Sequence, residues 1–218
     1  MTRKFAAIFI TIALLAIGVA AQAQTFDLYA PEDGDASYNG VTYGVGVGFL
    51  SAVNFPDMLF TEVSIFEIPI LPLYGMSLNS ATLFVNFEEG NTFDGYGEIN
   101  IGWLDTGTTA LTGDVQADDL GPASMALPKH FTLWDSNTSQ SAGPMNFDVL
   151  SFVLDDLAAG RSYSTFVLSA TGDSMGQISS AESGNGPKIV ATAVPEPASL
   201  PALLAGMIPI FFRLRRRR

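Results

Sequence analysis

The chain contains no cysteine and one histidine, His130. A Cys-His nucleophile therefore cannot be built, disulfide support is excluded, and so is a zinc site made of His and Cys ligands. A Ser-His-Asp triad would hang wholly on His130, next to Lys129, where an ordinary exposed or hydrogen-bonded histidine is the simpler reading. Basic residues are nearly as scarce in the middle of the chain. Between Gln24 and Ala193 only Lys129, Arg161 and Lys188 oppose 21 of the 22 acidic residues, a formal charge near −18. Such a field opposes phosphate backbones, which are bound through counterion release by Lys and Arg, so nucleic acid is excluded as a partner. It attracts cations and keeps the chain soluble. No Asp-x-Asp-x-Asp-Gly calcium loop is present, no P-loop lysine follows the Gly-x-Gly steps, and no repeat of fixed period is found. Stability must come from an apolar core or from bound cations.

What is present begins at the two ends. Met1 to Ala23 has a basic start (Arg3, Lys4), an apolar stretch from Phe5 to Ala20, and Ala21-Gln22-Ala23 before Gln24. This order is the grammar of a secretory signal peptide cleaved between Ala23 and Gln24; the alternative is an N-terminal membrane helix that stays attached. The other end reads Val194-Pro195-Glu196-Pro197, an apolar run of 15 residues from Ala198 to Phe212, and a cluster made of Arg213, Arg215, Arg216, Arg217 and Arg218. The run is shorter than the roughly 20 residues of a typical membrane span. Pro201 and Pro209 tend to kink it. It predicts a short hydrophobic helix that spans if the arginines snorkel towards the headgroups, with those arginines on the cytoplasmic side. Three segments follow: a signal peptide at 1–23, an exported domain at 24–193 and a tail at 194–218.

The 170 residues from Gln24 to Ala193 suit one domain with a sizeable core. Ala81, Leu83, Val85 and Phe87 alternate with more polar neighbours, as do Ile99, Ile101 and Trp103, and Phe166, Leu168 and Ala170. Period two marks half-buried strands. In "GVTYGVGVGF" the residues Val41, Tyr43, Val45, Val47 and Phe49 face one way and the glycines the other, which reads as a strand rather than a phosphate loop. Glu89-Gly90-Asn91, Asp94-Gly95 and Thr112-Gly113-Asp114 read as turns between runs. With no long amphipathic helix in view, the expected class is all-β, an antiparallel β-sandwich or jelly roll. Leu83, Val85, Ile101, Trp103, Phe152, Phe166, Leu168 and Ile189 are its expected core.

Chemistry-bearing candidates are few. Asp114, Asp118 and Asp119 lie close together in "TGDVQADDL", with Asp105 nearby. Hard carboxylate oxygens suit a structural Ca²⁺, though three solvated loop acids satisfy the same pattern, and no cofactor is required. Trp103, Trp134, Tyr29, Tyr38 and Tyr96 offer faces for sugar rings. Trp103 sits in an alternating strand and reads as core, while Trp134, in "TLWDSNTSQS", is the freer candidate. Two-carboxylate glycoside hydrolysis is open on composition alone. Asn137-Thr138-Ser139 matches a glycosylation sequon.

The tail resembles the PEP-CTERM sorting signal of Gram-negative bacteria, carried here by Val194, Pro195, Glu196 and Pro197, the apolar run, and the terminal arginines. That resemblance implies export by the Sec machinery, transient anchoring in the inner membrane, recognition by an exosortase, and delivery to the cell surface or extracellular matrix. It covers about the last 25 residues. A second, longer resemblance runs over roughly Phe60 to Ala193. "FTEVSIFEIPILPLYGMSLNSATLFVNF", "FDVLSFVLDDLAAGRSYSTFVLSA" and "SSAESGNGPKIVATA" are similar, in order, to blocks of DNRLRE-type carbohydrate-binding-like jelly rolls. Leu150 stands where that family often has threonine, and the frequent arginine is missing around Phe55 to Phe60. Together they imply a structural or binding module of the matrix, for which extracellular polysaccharide is one candidate ligand. A secreted polysaccharide hydrolase working through acidic residues is the alternative.

Overall fold

The computed structural model describes residues 22–30, 33–37, 42–45, 49–55, 60–105, 130–138 and 141–195. The described chain is mostly antiparallel β, in a single curled sheet. In chain order the strands are β1 (Gln24–Tyr29), β2 (Asp33–Ser37), β3 (Thr42–Val45), β4 (Phe49–Phe55) and β5 (Phe60–Pro69). They continue with β6 (Met76–Leu104), β7 (His130–Asp135), β8 (Gly143–Asp148), β9 (Tyr163–Ser179) and β10 (Lys188–Pro195). One helix, α1 (Leu150–Ala158), separates β8 from β9. The sheet order is β1-β10-β6-β9-β4-β5-β2-β3, with β7 and β8 also paired to β6.

β6 explains the curl. Its 29 residues would run about 95 Å if straight, at roughly 3.3 Å per residue. A 170-residue domain has a radius of gyration of only about 15 Å, so the strand has to bend. It does so by changing partners. Met76–Phe84 pairs with β10 along one edge, and Thr82–Phe87 pairs with β8 along the other. From Phe87 to Leu104, β9 takes over the first edge, and β7 takes the second from Glu98 to Gly102. The register slips between Phe87 and Glu89 and again between Thr92 and Gly97. At the second slip β9 turns at Gly172, whose φ of +68° lies in the left-handed region. A Cβ there would stand 1.9 Å from the Tyr96 carbonyl oxygen, so only glycine fits the corner.

Bending brings the inner faces of both halves of β6 onto one core. Ala81, Leu83, Val85 and Phe87 from the first half meet Ile99, Ile101 and Trp103 from the second, with Ile189 of β10 and Phe166 and Leu168 of β9 between them. All eight core residues expected from the sequence are buried. Phe66 stacks on Phe166 with ring centroids 5.5 Å apart. In β5 and β9 the alternation gives way to continuous burial from Val63 to Ile68 and from Ser164 to Leu168, so both sheet faces are covered there. Buried Glu67 accepts a hydrogen bond from the Thr165 hydroxyl at 3.1 Å.

Three expectations change. Glu89-Gly90-Asn91 and Asp94-Gly95 are not turns between runs; both lie inside β6, the first of them opposite Met175–Gln177. Gly90 serves packing instead, since Trp134 and Phe87 lie over it and a Cβ would meet the indole at 2.6 Å. The stretch after Asp148, where no helix was singled out from the sequence, forms α1. Asp148 Oδ1 accepts the Leu150 N–H at 3.0 Å. At the far end Gly160 takes φ +74°, and its N–H and that of Arg161 close onto the Leu157 and Asp156 carbonyls. This is a Schellman stop, which satisfies carbonyls left over at the helix end. The inward residues Phe152 and Val153 join the core, with Phe152 stacked on Trp103 at 5.4 Å.

Candidate functional site

Three places on the described chain carry more than packing. The first is the outer face of β1, β10, β6 and β8. Register sets Tyr29, Lys188, Phe84 and Asn146 in one cross-strand row. The Lys188 ammonium lies over the Tyr29 ring at 5.3 Å and the Phe84 ring at 5.8 Å. Tyr29 is 55% exposed. The rows beside it carry Asp27, Val190, Thr82 and Asp148, then Thr25, Thr192 and Ser80, where the Ser80 and Thr192 hydroxyls are 2.6 Å apart. The surface thus combines an aromatic platform with hydroxyl, amide, ammonium and carboxylate groups. Such a mixture suits a polyhydroxylated ligand, whose C–H faces stack and whose hydroxyls both donate and accept.

The second place is buried. Asp156 of α1 is 1% exposed and accepts from Trp103 Nε1 at 3.0 Å, from the Ser164 hydroxyl, and from Arg161 Nη1 at 2.7 Å. Arg161 Nη2 also pairs with Asp105, at the exposed end of β6, while the guanidinium lies 5.8 Å from the Trp103 ring centroid. Burial pushes the Asp156 carboxyl above the ordinary carboxylate range; the Ser164, Trp103 and Arg161 donors pull the other way. This arrangement ties α1, β6 and β9 together. It closes Asp156 to any substrate.

The third is the corner beside Gly172. Tyr96, 48% exposed, donates its hydroxyl to Glu98 Oε1. That hydrogen bond, followed by desolvation and the nearby Asp135 carboxylate, pushes the phenol up to about 12.

The sequence candidates fall unevenly on this frame. Trp134, opposite Ile99 on β7, is half-buried and packs on the core beside Gly90. Trp103 is core, as expected, and its indole N–H is held by Asp156. His130 starts β7 opposite Gly102. Asp105 belongs to the Arg161 cluster. Asp114, Asp118 and Asp119 lie outside the described residues, as do Ala21, Tyr38, Glu196, Pro197 and Arg213 to Arg218. Among the described residues no group of three or more His, Asp or Glu could hold a metal ion, and no helix is long and apolar enough to cross a membrane.

Ala23 is exposed, and Gln24 opens β1 directly opposite Ala193 of β10. Val194 and Pro195 continue β10 opposite Ser77 and Met76. The first half of the Pro-Glu-Pro box is therefore extended, as proline favours, and paired in the sheet. Missed by sequence reasoning were the Asp156 cluster and the Tyr29–Lys188–Phe84 row. The first had one local signal, a helix bounded by Asp148 and Gly160; the second had only the residue type of Tyr29. Neither a scan against protein-family models nor a search of the curated proteins gives a match.

Proposed function

We propose that this is an exported, exosortase-sorted protein of the cell surface or extracellular matrix, acting as a structural and binding module on a jelly-roll-type sandwich. The observation that carries the reading is the pairing of Gln24 with Ala193. Leader and tail leave the domain from neighbouring strand ends, so the acidic domain meets the membrane at one end and keeps its sheet faces free. The sandwich reading is supported by the two halves of β6 lining a single core. The binding face is the Tyr29–Lys188–Phe84 row, and its ligand is a neutral extracellular polysaccharide. The field of 21 acidic residues repels a polyanion, whereas stacking on Tyr29 and Phe84 needs no charge. No cofactor takes part in this reading; a structural Ca²⁺ at Asp114, Asp118 and Asp119 is an addition to it.

Replacement of Pro195-Glu196-Pro197 by alanines tests the sorting. Fractionated cells should show normal export and leader removal, with full-length protein held in the inner membrane. A variant that reaches the medium with its tail removed, as the parent does, contradicts the reading.

A further inference from the structure

Resting on the sorting reading, we propose that tail processing is gated by the fold: Val194 and Pro195 must unzip from Ser77 and Met76 before the box can be engaged. From Lys188 to Ala193 strand β10 is held on both edges, by β1 and by β6. Beyond Ala193 there is no β1 partner, because Gln24 is the first residue of β1. Val194 and Pro195 are held by β6 alone.

The register shifts between Thr192 and Ala193, immediately before these rungs. Burial changes at the same point: the alternation that buries Ile189, Ala191 and Ala193 ends, and Pro195, the next inward position, is only half-buried. Pro195 has no N–H, so it cannot donate to the ladder. The box therefore begins on the weakest rungs of an otherwise double-sided strand, where local opening costs far less than global unfolding.

The pairing also has a steric consequence. An enzyme that reads an extended segment needs its backbone edges and side chains, and one edge of Val194–Pro195 is occupied by β6. Only Glu196 and Pro197 separate Pro195 from the apolar run that starts at Ala198. The last two rungs thus hold Val194 and Pro195, where the box begins, against β6, and the rate at which they open limits release of the tethered protein.

A cross-strand disulfide tests this cleanly, because the chain has no cysteine of its own. Facing residues of an antiparallel pair have Cα atoms about 4.5–5.5 Å apart, inside the range a disulfide accepts. The full chain carrying Ser77→Cys and Val194→Cys should be exported and lose its leader. It should then accumulate as membrane-bound, full-length protein, with release slowed about tenfold or more, and reductant should restore release. Each single variant should be released at the parental rate. Met76→Gly, which loosens the last rung, should speed release. Release of the oxidised double variant at the parental rate overturns the gate while leaving sorting intact. Retention that persists after reduction also overturns it, since the block is then not the rung. Failure of sorting itself has a separate signature: the Pro195-Glu196-Pro197 alanine variant would lose its tail normally.

Discussion

Arg161 and Lys188 are two cations of an acidic domain, and the fold puts them in opposite settings. Both lie over aromatic rings, Arg161 over Trp103 and Lys188 over Tyr29 and Phe84. Arg161 keeps 10% of its side chain exposed and forks between Asp156 and Asp105. Lys188 sits half-buried on an outer sheet face beside an exposed tyrosine. The planar guanidinium can satisfy two carboxylates at once, which a point-charge ammonium cannot do in the same geometry. The difference separates what holds this molecule together from the surface it offers to its surroundings.

The sharpest way to break that distinction is at Asp156. Asp156→Ala deprives Trp103, Ser164 and Arg161 of their common acceptor. It should lower the unfolding free energy by about 3–5 kcal/mol, the range for removing one partner of a buried pair; urea melts measure it. Arg161→Lys keeps the charge and loses the fork, and should cost about 1.5–3 kcal/mol in the same melts. Lys188→Gln should cost under about 1 kcal/mol, the worth of an exposed cation–π contact. Equal losses at Arg161 and Lys188 would erase the comparison.

Two smaller effects depend on pH. Because burial raises the Asp156 carboxyl above its unfolded value, its contribution to stability is complete below about pH 4 and falls as pH rises through the folded value. The stability of the parent relative to Asp156→Asn should therefore decline from low to neutral pH; a relative stability that grows with pH contradicts the assignment. The Tyr96 phenol, raised to about 12, favours the fold while neutral. That contribution is present below about pH 10 and lost as pH climbs through 12. Ultraviolet titration should show the Tyr96 phenolate appearing late, and Glu98→Gln should shift it to lower pH.

How far these features could be read from the sequence follows from how local their causes are. Leu83, Val85, Ile101 and Phe166 were legible because alternation is a property of a few neighbouring residues. The unbroken run of β6 was not, because Gly90 signals a turn in isolation and becomes a packing position only once Trp134 arrives from β7. Helix α1 was missed although its limits are written in Asp148 and Gly160; nine residues are too few for a helical period to stand out. The Asp156 cluster joins positions 103, 105, 156, 161 and 164, which only the packing of α1 against β6 and β9 brings together. Tyr29 was a stacking candidate by residue type, but Lys188 and Phe84 become its neighbours through register alone. At the tail, proline marked Pro195 as extended, whereas its pairing with Met76 depends on register that no local signal carries.

The most direct test of the central claim, that the outer face of β1, β10 and β6 is the binding surface, is affinity electrophoresis of the released protein through gels containing neutral exopolysaccharide. The parent should be retarded in proportion to the polysaccharide. Tyr29→Ala, which removes the exposed platform, should lose most of that retardation while melting within about 1 kcal/mol of the parent, as a surface substitution should. Tyr96→Ala, at a comparably exposed tyrosine beside Gly172, should run as the parent does. Undiminished retardation of Tyr29→Ala, or no retardation of the parent, would contradict the claim.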